Sequence, residues 1–288
     1  MNPILEQMLS GKEGATLYDK KNGIKEVVQE VVLSGLSRGG FFKKAAFYGG
    51  TALRIFYGLD RFSEDLDFSL IEPDTDFDFS EYIPVLQREI ASYGLNFKIE
   101  TREKAVDSAV KSAFLKGNTR EHLMFFYADE RLARSIAPSE VIKIKFEVDT
   151  DPPPFAALEH KYRLRPSPYE ITLYDEPSLF AGKIHAVLCR AWKNRVKGRD
   201  LYDYVFYLSR GAAVNLPHLE ARLAQSGYIE PEAHVDLDTL KEMLCQRFEQ
   251  IDFENAREDV LPFIRNADSL SVWGSEFFTQ ITKDLRAL

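Results

Sequence analysis

Apolar residues at 24, 27, 28, 31 and 32 recur at the three- and four-residue spacing of a helix with one buried face. The chain is therefore expected to form a helix over 24–36, ended by Ser37 to Gly40. Ala45 to Tyr48 is a short apolar run suited to a buried strand, and Gly49 and Gly50 close it in a tight turn. Thr51 then stands where it can cap a helix running through Ala52, Leu53, Ile55 and Phe56 and stopping at Gly58. The next segment, DLDFSL from Asp65 to Leu70, alternates polar and apolar positions as a half-buried strand does. Residues two apart on a strand share a face, so Asp65 and Asp67 project together while Leu66 and Phe68 point into the core.

Further along, Glu72 to Asp78 is an acidic run broken by Pro73 and reads as a loop. A helix capped by Ser80 is expected to reach Tyr93, with Pro84 in its first turn. Strand-like segments follow at 95–101, 122–127 and 141–148, all extending the sheet begun at Asp65. In the last of them Ile142, Ile144, Phe146 and Val148 alternate with Val141, Lys143 and Lys145, which places Glu147 and Asp149 on the lysine face. The stretch 149–168 is rich in Pro and charge and marks a domain boundary. Beyond a strand at 169–174 the period changes. Apolar residues at 179, 180, 184, 187 and 188 describe a helix with Pro177 near its start, and helical patterns recur at 200–208, 237–248, 256–264 and 277–285. The expected class is α+β, with a domain of mixed sheet and flanking helices over 1–168 and an α-helical bundle over 169–288 that completes the active-site cleft.

Composition narrows the reading. At 288 residues with 45% hydrophobic and 28% charged side chains, the chain has the balance of an ordered globular protein. Cys189 and Cys245 lie far apart without metal-ligand spacing, which points to buried thiols in a reducing compartment. No basic start is followed by an apolar run, and no segment approaches the ~20 apolar residues of a membrane helix, so a cytoplasmic protein is expected. A net charge of −8 disfavours indiscriminate binding to nucleic-acid backbone but leaves room for a local basic face. The one strongly basic stretch runs from Lys183 through Arg190, Lys193, Arg195, Lys197 and Arg199 to two aspartates, Asp200 and Asp203.

The candidate chemistry sits in the first of these patterns. A glycine pair at a helix start lets a phosphate approach backbone amides that the helix dipole favours for negative charge. Two carboxylates on one strand face form a pair of hard oxygen ligands suited to Mg²⁺. Singly, a Gly-Gly is usually a turn and an Asp-x-Asp a solvated edge; in this order they match what nucleotidyl transfer requires. Arg61 is expected to pair with Glu64 or Asp65, and Ser63 to serve the turn.

Gly49-Gly50-Thr51-Ala52-Leu53-Arg54 followed by Arg61-Phe62-Ser63-Glu64-Asp65-Leu66-Asp67-Phe68-Ser69 resembles the signature of the AbiEii/AbiGii nucleotidyltransferase toxins, relatives of the polymerase-β superfamily. Lys183 and Arg199-Asp200-Leu201-Tyr202-Asp203 match that family's later lysine and Arg-Asp-x-x-Asp element. With the resemblance, the expected catalytic set is Asp65, Asp67, Glu147, Lys183 and Asp203, with Asp149 as second choice for the third carboxylate. Asp65, Asp67 and Glu147 are the expected Mg²⁺ ligands. Gly49, Gly50, Thr51, Lys183, Arg199 and Asp200 are the expected NTP-binding residues. The resemblance further implies transfer of a nucleoside monophosphate to an acceptor hydroxyl, with tRNA as acceptor and an antitoxin as partner. Two alternatives stay open: a nucleotidyltransferase acting on a small molecule, which the acidic charge suits, and a nucleotide-binding protein without turnover.

Overall fold

The apolar stripe at 24–36 becomes part of a longer helix because Thr16 and Asp19 close a reciprocal capping box ahead of it. The computed structural model describes residues 2–10, 16–102, 109–191 and 195–288. It divides the chain into two units, one of Met1–Thr51, Glu64–Pro152 and His160–Leu173, the other of Ala52–Ser63, Pro153–Glu159 and Tyr174–Leu288.

The first unit opens with α1 (Pro3–Leu9) and α2 (Leu17–Arg38), whose Ile24, Val27, Val28, Val31 and Val32 are fully buried. β1 (Ala45–Tyr48) leads into α3 (Gly49–Tyr57), inside which the division between units falls, and β2 (Leu66–Leu70) follows. Next come α4 (Ile83–Ser92), β3 (Lys98–Arg102), β4 (Val110–Asn118), α5 (Thr119–Tyr127), α6 (Glu130–Arg134), β5 (Val141–Asp149), β6 (Leu158–Arg163) and β7 (Tyr169–Tyr174). Among the described residues the strands form one seven-stranded mixed sheet in the order β3-β4-β5-β2-β1-β7-β6. β2 lies between β1, antiparallel, and β5, parallel. Phe41 packs edge-on against Phe68 at 5.0 Å and Tyr82 at 5.0 Å, so an aromatic cluster fills the core beneath β2.

The second unit is carried by α7 (Glu176–Cys189), α8 (Gly198–Ser209), α9 (Leu216–Gln225), α10 (Leu237–Glu249), α11 (Phe253–Val260) and α12 (Ser275–Thr282). β8 (Ala213–Val214) and β9 (Arg286–Ala287) make a short parallel pair beside them. Asp175 caps α7 by accepting from the Ser178 N–H. Phe180, Tyr204, Tyr207, Phe248 and Phe278 are buried together, Phe180 stacking on Tyr207 at 4.5 Å. Cys189 and Cys245 are free and half-buried. Among the described residues no helix is long and apolar enough to cross a membrane.

Three local expectations need correction. Residues 122–127 are not a strand but part of α5, because Asn118 caps that helix and Leu123 and Phe126 bury one helical face. β4, with Ala113, Phe114 and Leu115 all buried, takes the sheet position instead. The helix expected from Ser80 begins as a 3-10 turn, Phe79–Tyr82, capped by Asp78, and becomes α-helical only at Ile83. The expected boundary stretch contains β6, whose charged alternate positions are its more buried ones.

Candidate active site

The candidate residues fall in two clusters, one in each unit. In the first, the turn after β1 works through a close approach. Gly49 adopts φ +81, and a Cβ there would sit 2.5 Å from a carboxylate oxygen of Asp67. Only glycine combines that backbone angle with that proximity. Helix α3 starts at Gly49 itself, so Thr51 lies within it rather than capping it. The Thr51 side chain is fully buried and its hydroxyl donates to the Asp65 carbonyl, bracing the helix against the entry to β2. Gly58, at φ +83, ends the helix as expected.

Asp65 stands exposed one residue ahead of β2, and Asp67 is half-buried within it. Leu66 and Phe68 are fully buried on the opposite face. The register pairs Asp67 with Tyr48 on β1 and with Glu147 on β5, and pairs Glu147 in turn with Ser112 on β4. One row across four strands thus presents Tyr48, Asp67, Glu147 and Ser112 on a single face. Glu147 is bridged by Lys145 at 2.7 Å, while Lys143 lies 3.9 Å over the Phe114 ring. Asp149 aligns with Ser69 and accepts from the Asp151 N–H at 3.1 Å, which makes it a turn cap.

Among the described residues no three His, Cys, Asp or Glu side chains stand close enough together to form a metal cage. Mg²⁺ does not need one. It keeps several waters and is commonly held by one or two carboxylates together with substrate phosphates. A strand carboxylate with a second in register beside it, both partly accessible, fits that requirement in donor type.

The second cluster is buried and densely paired. Lys183 of α7 places its ammonium 2.7 Å from Asp200 and 2.8 Å from Asp203, three apart on one face of α8. Arg61 grips Asp203 through two bonds of 2.6 Å, so its partner is neither Glu64 nor Asp65. Glu64 pairs with Lys25 instead, at 3.0 Å. Arg190 reaches Asp200 at 3.1 Å, and the Arg199 guanidinium lies 4.0 Å over the Phe263 ring. Burial alone would push both carboxyls up, but Lys183 and Arg190 at Asp200, and Arg61 and Lys183 at Asp203, hold them below the usual carboxylate range. Burial pulls Lys183 down, yet the two carboxylates raise it above an ordinary lysine.

Lys197 behaves differently. Half-buried just ahead of α8, it is brought down to about 8 by burial and by the cations of Arg190, Lys183 and Arg199, against the pull of Asp200. Around Asp200 and Asp203, the cations of Arg61, Lys183, Arg190, Lys197 and Arg199 outnumber the carboxylates. The α8 end of this cluster is fixed from α11: the Val196 N–H donates to Asn255 at 2.7 Å, Arg195 pairs with Asp259 at 2.5 Å, and a methyl on Gly198 would run into the Ala256 carbonyl. His185 is bonded to Ser226 at 3.0 Å and held neutral, its pKa lowered to about 4 by burial and Arg222. Lys193 lies outside the described residues.

Sequence reasoning gave Arg61 the wrong partner and assigned no role to Lys197. The signal for Arg61 was an arginine between Leu59 and Phe62, two buried positions. For Lys197 it was its place in a run of six cations ahead of two aspartates.

By its sequence the chain falls in the nucleotidyltransferase class of enzymes. The chain is a member of the family described as nucleotidyl transferase AbiEii toxin, of type IV toxin–antitoxin systems, whose profile matches residues 31–277. Membership carries with it a nucleotide substrate and an antitoxin partner. The fold is shared with MenT4, a nucleotidyltransferase toxin from Mycobacterium tuberculosis, at 16% identity over 100% of this chain and 99% of that one, with a TM-score of 0.50. JHP933 from Helicobacter pylori aligns at 19% identity over 91% of both chains, with a TM-score of 0.47. No curated protein matches the sequence.

Proposed function

We propose that this toxin transfers a nucleoside monophosphate from an NTP to a hydroxyl of an RNA, with tRNA as the expected acceptor, in the cytoplasm and with Mg²⁺. The observation that carries the reading is the alignment of Asp67 with Glu147 behind a Gly49 whose missing side chain makes room for the Asp67 carboxylate.

Asp65 and Asp67 are assigned as the metal ligands, with Glu147 as the third carboxylate. Bound Mg²⁺ would supply charge neutralisation on the triphosphate. Glu147 is assigned the proton of the acceptor hydroxyl, whose oxygen forms the new bond to the α-phosphorus as the bond to pyrophosphate breaks. The amides at Gly49 and Gly50 favour phosphate oxygens at the start of α3. In the second cluster, Lys197 and Arg199 are assigned to phosphate, since Lys183 is committed to Asp200 and Asp203. Asp200 and Asp203 then hold Lys183 and Arg61 in place, and Lys183 contributes charge rather than a free hand.

Incubating the protein with total cellular RNA and each labelled NTP in turn tests reaction, donor and acceptor together. Label should enter tRNA-sized RNA, and chelation of divalent metal should abolish it. Label confined to a small-molecule acceptor would replace the RNA reading, and no turnover with any NTP would leave a binding protein.

A further inference from the structure

The sheet ends at β6, whose outer edge has no strand partner among the described residues. From His160 to Ser167 the chain reads HKYRLRPS, without a single acid in a protein of net charge −8. Tyr162 is 70% exposed and Leu164 78%, so the outward positions of this edge carry an open aromatic ring and an apolar side chain. The C-terminal end of α2 closes on the same place, Arg38 donating to Ser167 at 2.6 Å. Arg163 pairs with Glu30 at 2.7 Å, and Thr172 of β7 donates to the Phe42 carbonyl at 3.0 Å, which brings exposed Lys43 alongside. The acids that answer these cations lie beneath them: the Glu30 and Glu89 side chains are only 5% and 6% exposed. Glu170, which faces outward, lies 3.2 Å from the His160 ring nitrogen.

We propose that this β6 edge, with Arg38, Lys43 and Arg165 beside the exposed ring of Tyr162, is the docking surface for the phosphate backbone of the RNA acceptor. The inference rests on the RNA reading given above. Cations around an edge also discourage strand-to-strand association, and a second copy of this edge would bring like charges together. A polyanion meets the opposite situation. Each phosphate it brings releases a counterion, and the tyrosine offers a face on which an unpaired base can stack. From Asp67 the patch is three strand spacings across the sheet and the length of β1 along it, on the order of 20 Å. It would hold the body of a folded RNA, not its reacting end.

The test uses the full chain with Lys43→Gln, Arg165→Gln and Tyr162→Ala combined, since each of these side chains is exposed and none is placed in the catalytic machinery. Arg38 and Arg163 are left alone because each answers a buried glutamate. For folded tRNA the variant should show a KM raised about tenfold or more with kcat unchanged. The slope of binding against salt should flatten by roughly two, one for each lost phosphate contact. Transfer to a short single-stranded oligonucleotide, which cannot reach the patch, should be unaffected. Unchanged KM and salt slope for tRNA, in a variant that melts like the wild type, would overturn the proposal and leave the cations as guards of a strand edge. Loss of a protein dimer with tRNA affinity unchanged would overturn it as well. Should the wild type label no RNA at all, the function reading fails first. Direct tRNA binding then judges the surface: a salt-dependent affinity reduced in the variant upholds it, and an equal or absent affinity ends it.

Discussion

Asp67 and Asp203 are both aspartates of regular elements, each close to a lysine or a glycine on which its position depends. Asp67 is half-buried on a sheet face, next to a glycine that makes room for it, while Asp203 is fully buried with Arg61 and Lys183 on its oxygens. A carboxylate that still meets solvent can exchange water for a metal or a phosphate-bound ligand. One that is desolvated and paired on both oxygens is spent on geometry, and removing a partner is more damaging than its net contribution suggests. The same residue type therefore reads as chemistry in the first unit and as framework in the second.

That contrast can be broken most directly at Asp67. Asp67→Asn should lower nucleotidyl transfer on the order of a thousandfold, since it removes an anionic ligand at almost constant volume, with the melting curve unchanged. Activity within about tenfold of wild type would take Asp67 out of the site. Lys183→Met should do the reverse. Removing the cation from two buried aspartates is expected to cost about 3–5 kcal/mol of stability, so denaturant titration should show a lower midpoint alongside any loss of turnover. A variant that unfolds like wild type but fails to turn over would move Lys183 from framework to chemistry.

Gly49→Ala sharpens the first half of the comparison. Its φ of +81 costs a side chain about 1–2 kcal/mol, and the new methyl must displace the Asp67 carboxylate. Stability should drop by that amount and kcat on the order of a hundredfold, the penalty of a misplaced catalytic group. The smallest effect is expected at Lys197, and it depends on pH. Its folded-state pKa lies near 8, below the ordinary lysine value, so its ammonium is present below about 8 and lost above it. The KM for NTP should rise as pH climbs through 8, by up to about tenfold per unit, and Lys197→Arg should abolish that rise because a guanidinium stays charged. Equal pH profiles for the two proteins would remove Lys197 from phosphate binding.

What was legible in the sequence was local. The Ala45–Tyr48 strand, the stop at Gly58 and the alternation of Ile142, Ile144, Phe146 and Val148 depend on neighbours a few residues away, and all reappear as drawn. The aromatic run at 122–127 misled because bulky rings suit a strand, while the deciding residue, the Asn118 cap, lies outside the run. The Arg61–Asp203 pair was out of reach for another reason. Its members are 142 residues apart, and any nearby carboxylate is an equally good partner on paper. β6 was hidden by an inverted pattern, its charged positions being more covered than its apolar ones.

The anchoring of residues 195–198 by residues 255–259 bears on when a toxin becomes dangerous to the cell that makes it. On the ribosome, Lys197, Arg199 and Asp200 emerge well before Asn255, Ala256 and Asp259, the groups that hold the start of α8 in place. Translation must therefore pass Asp259 before the cationic cluster has its final support. A message cut short between codons 150 and 254 yields a chain whose acidic strands are complete and whose cationic cluster lacks that support.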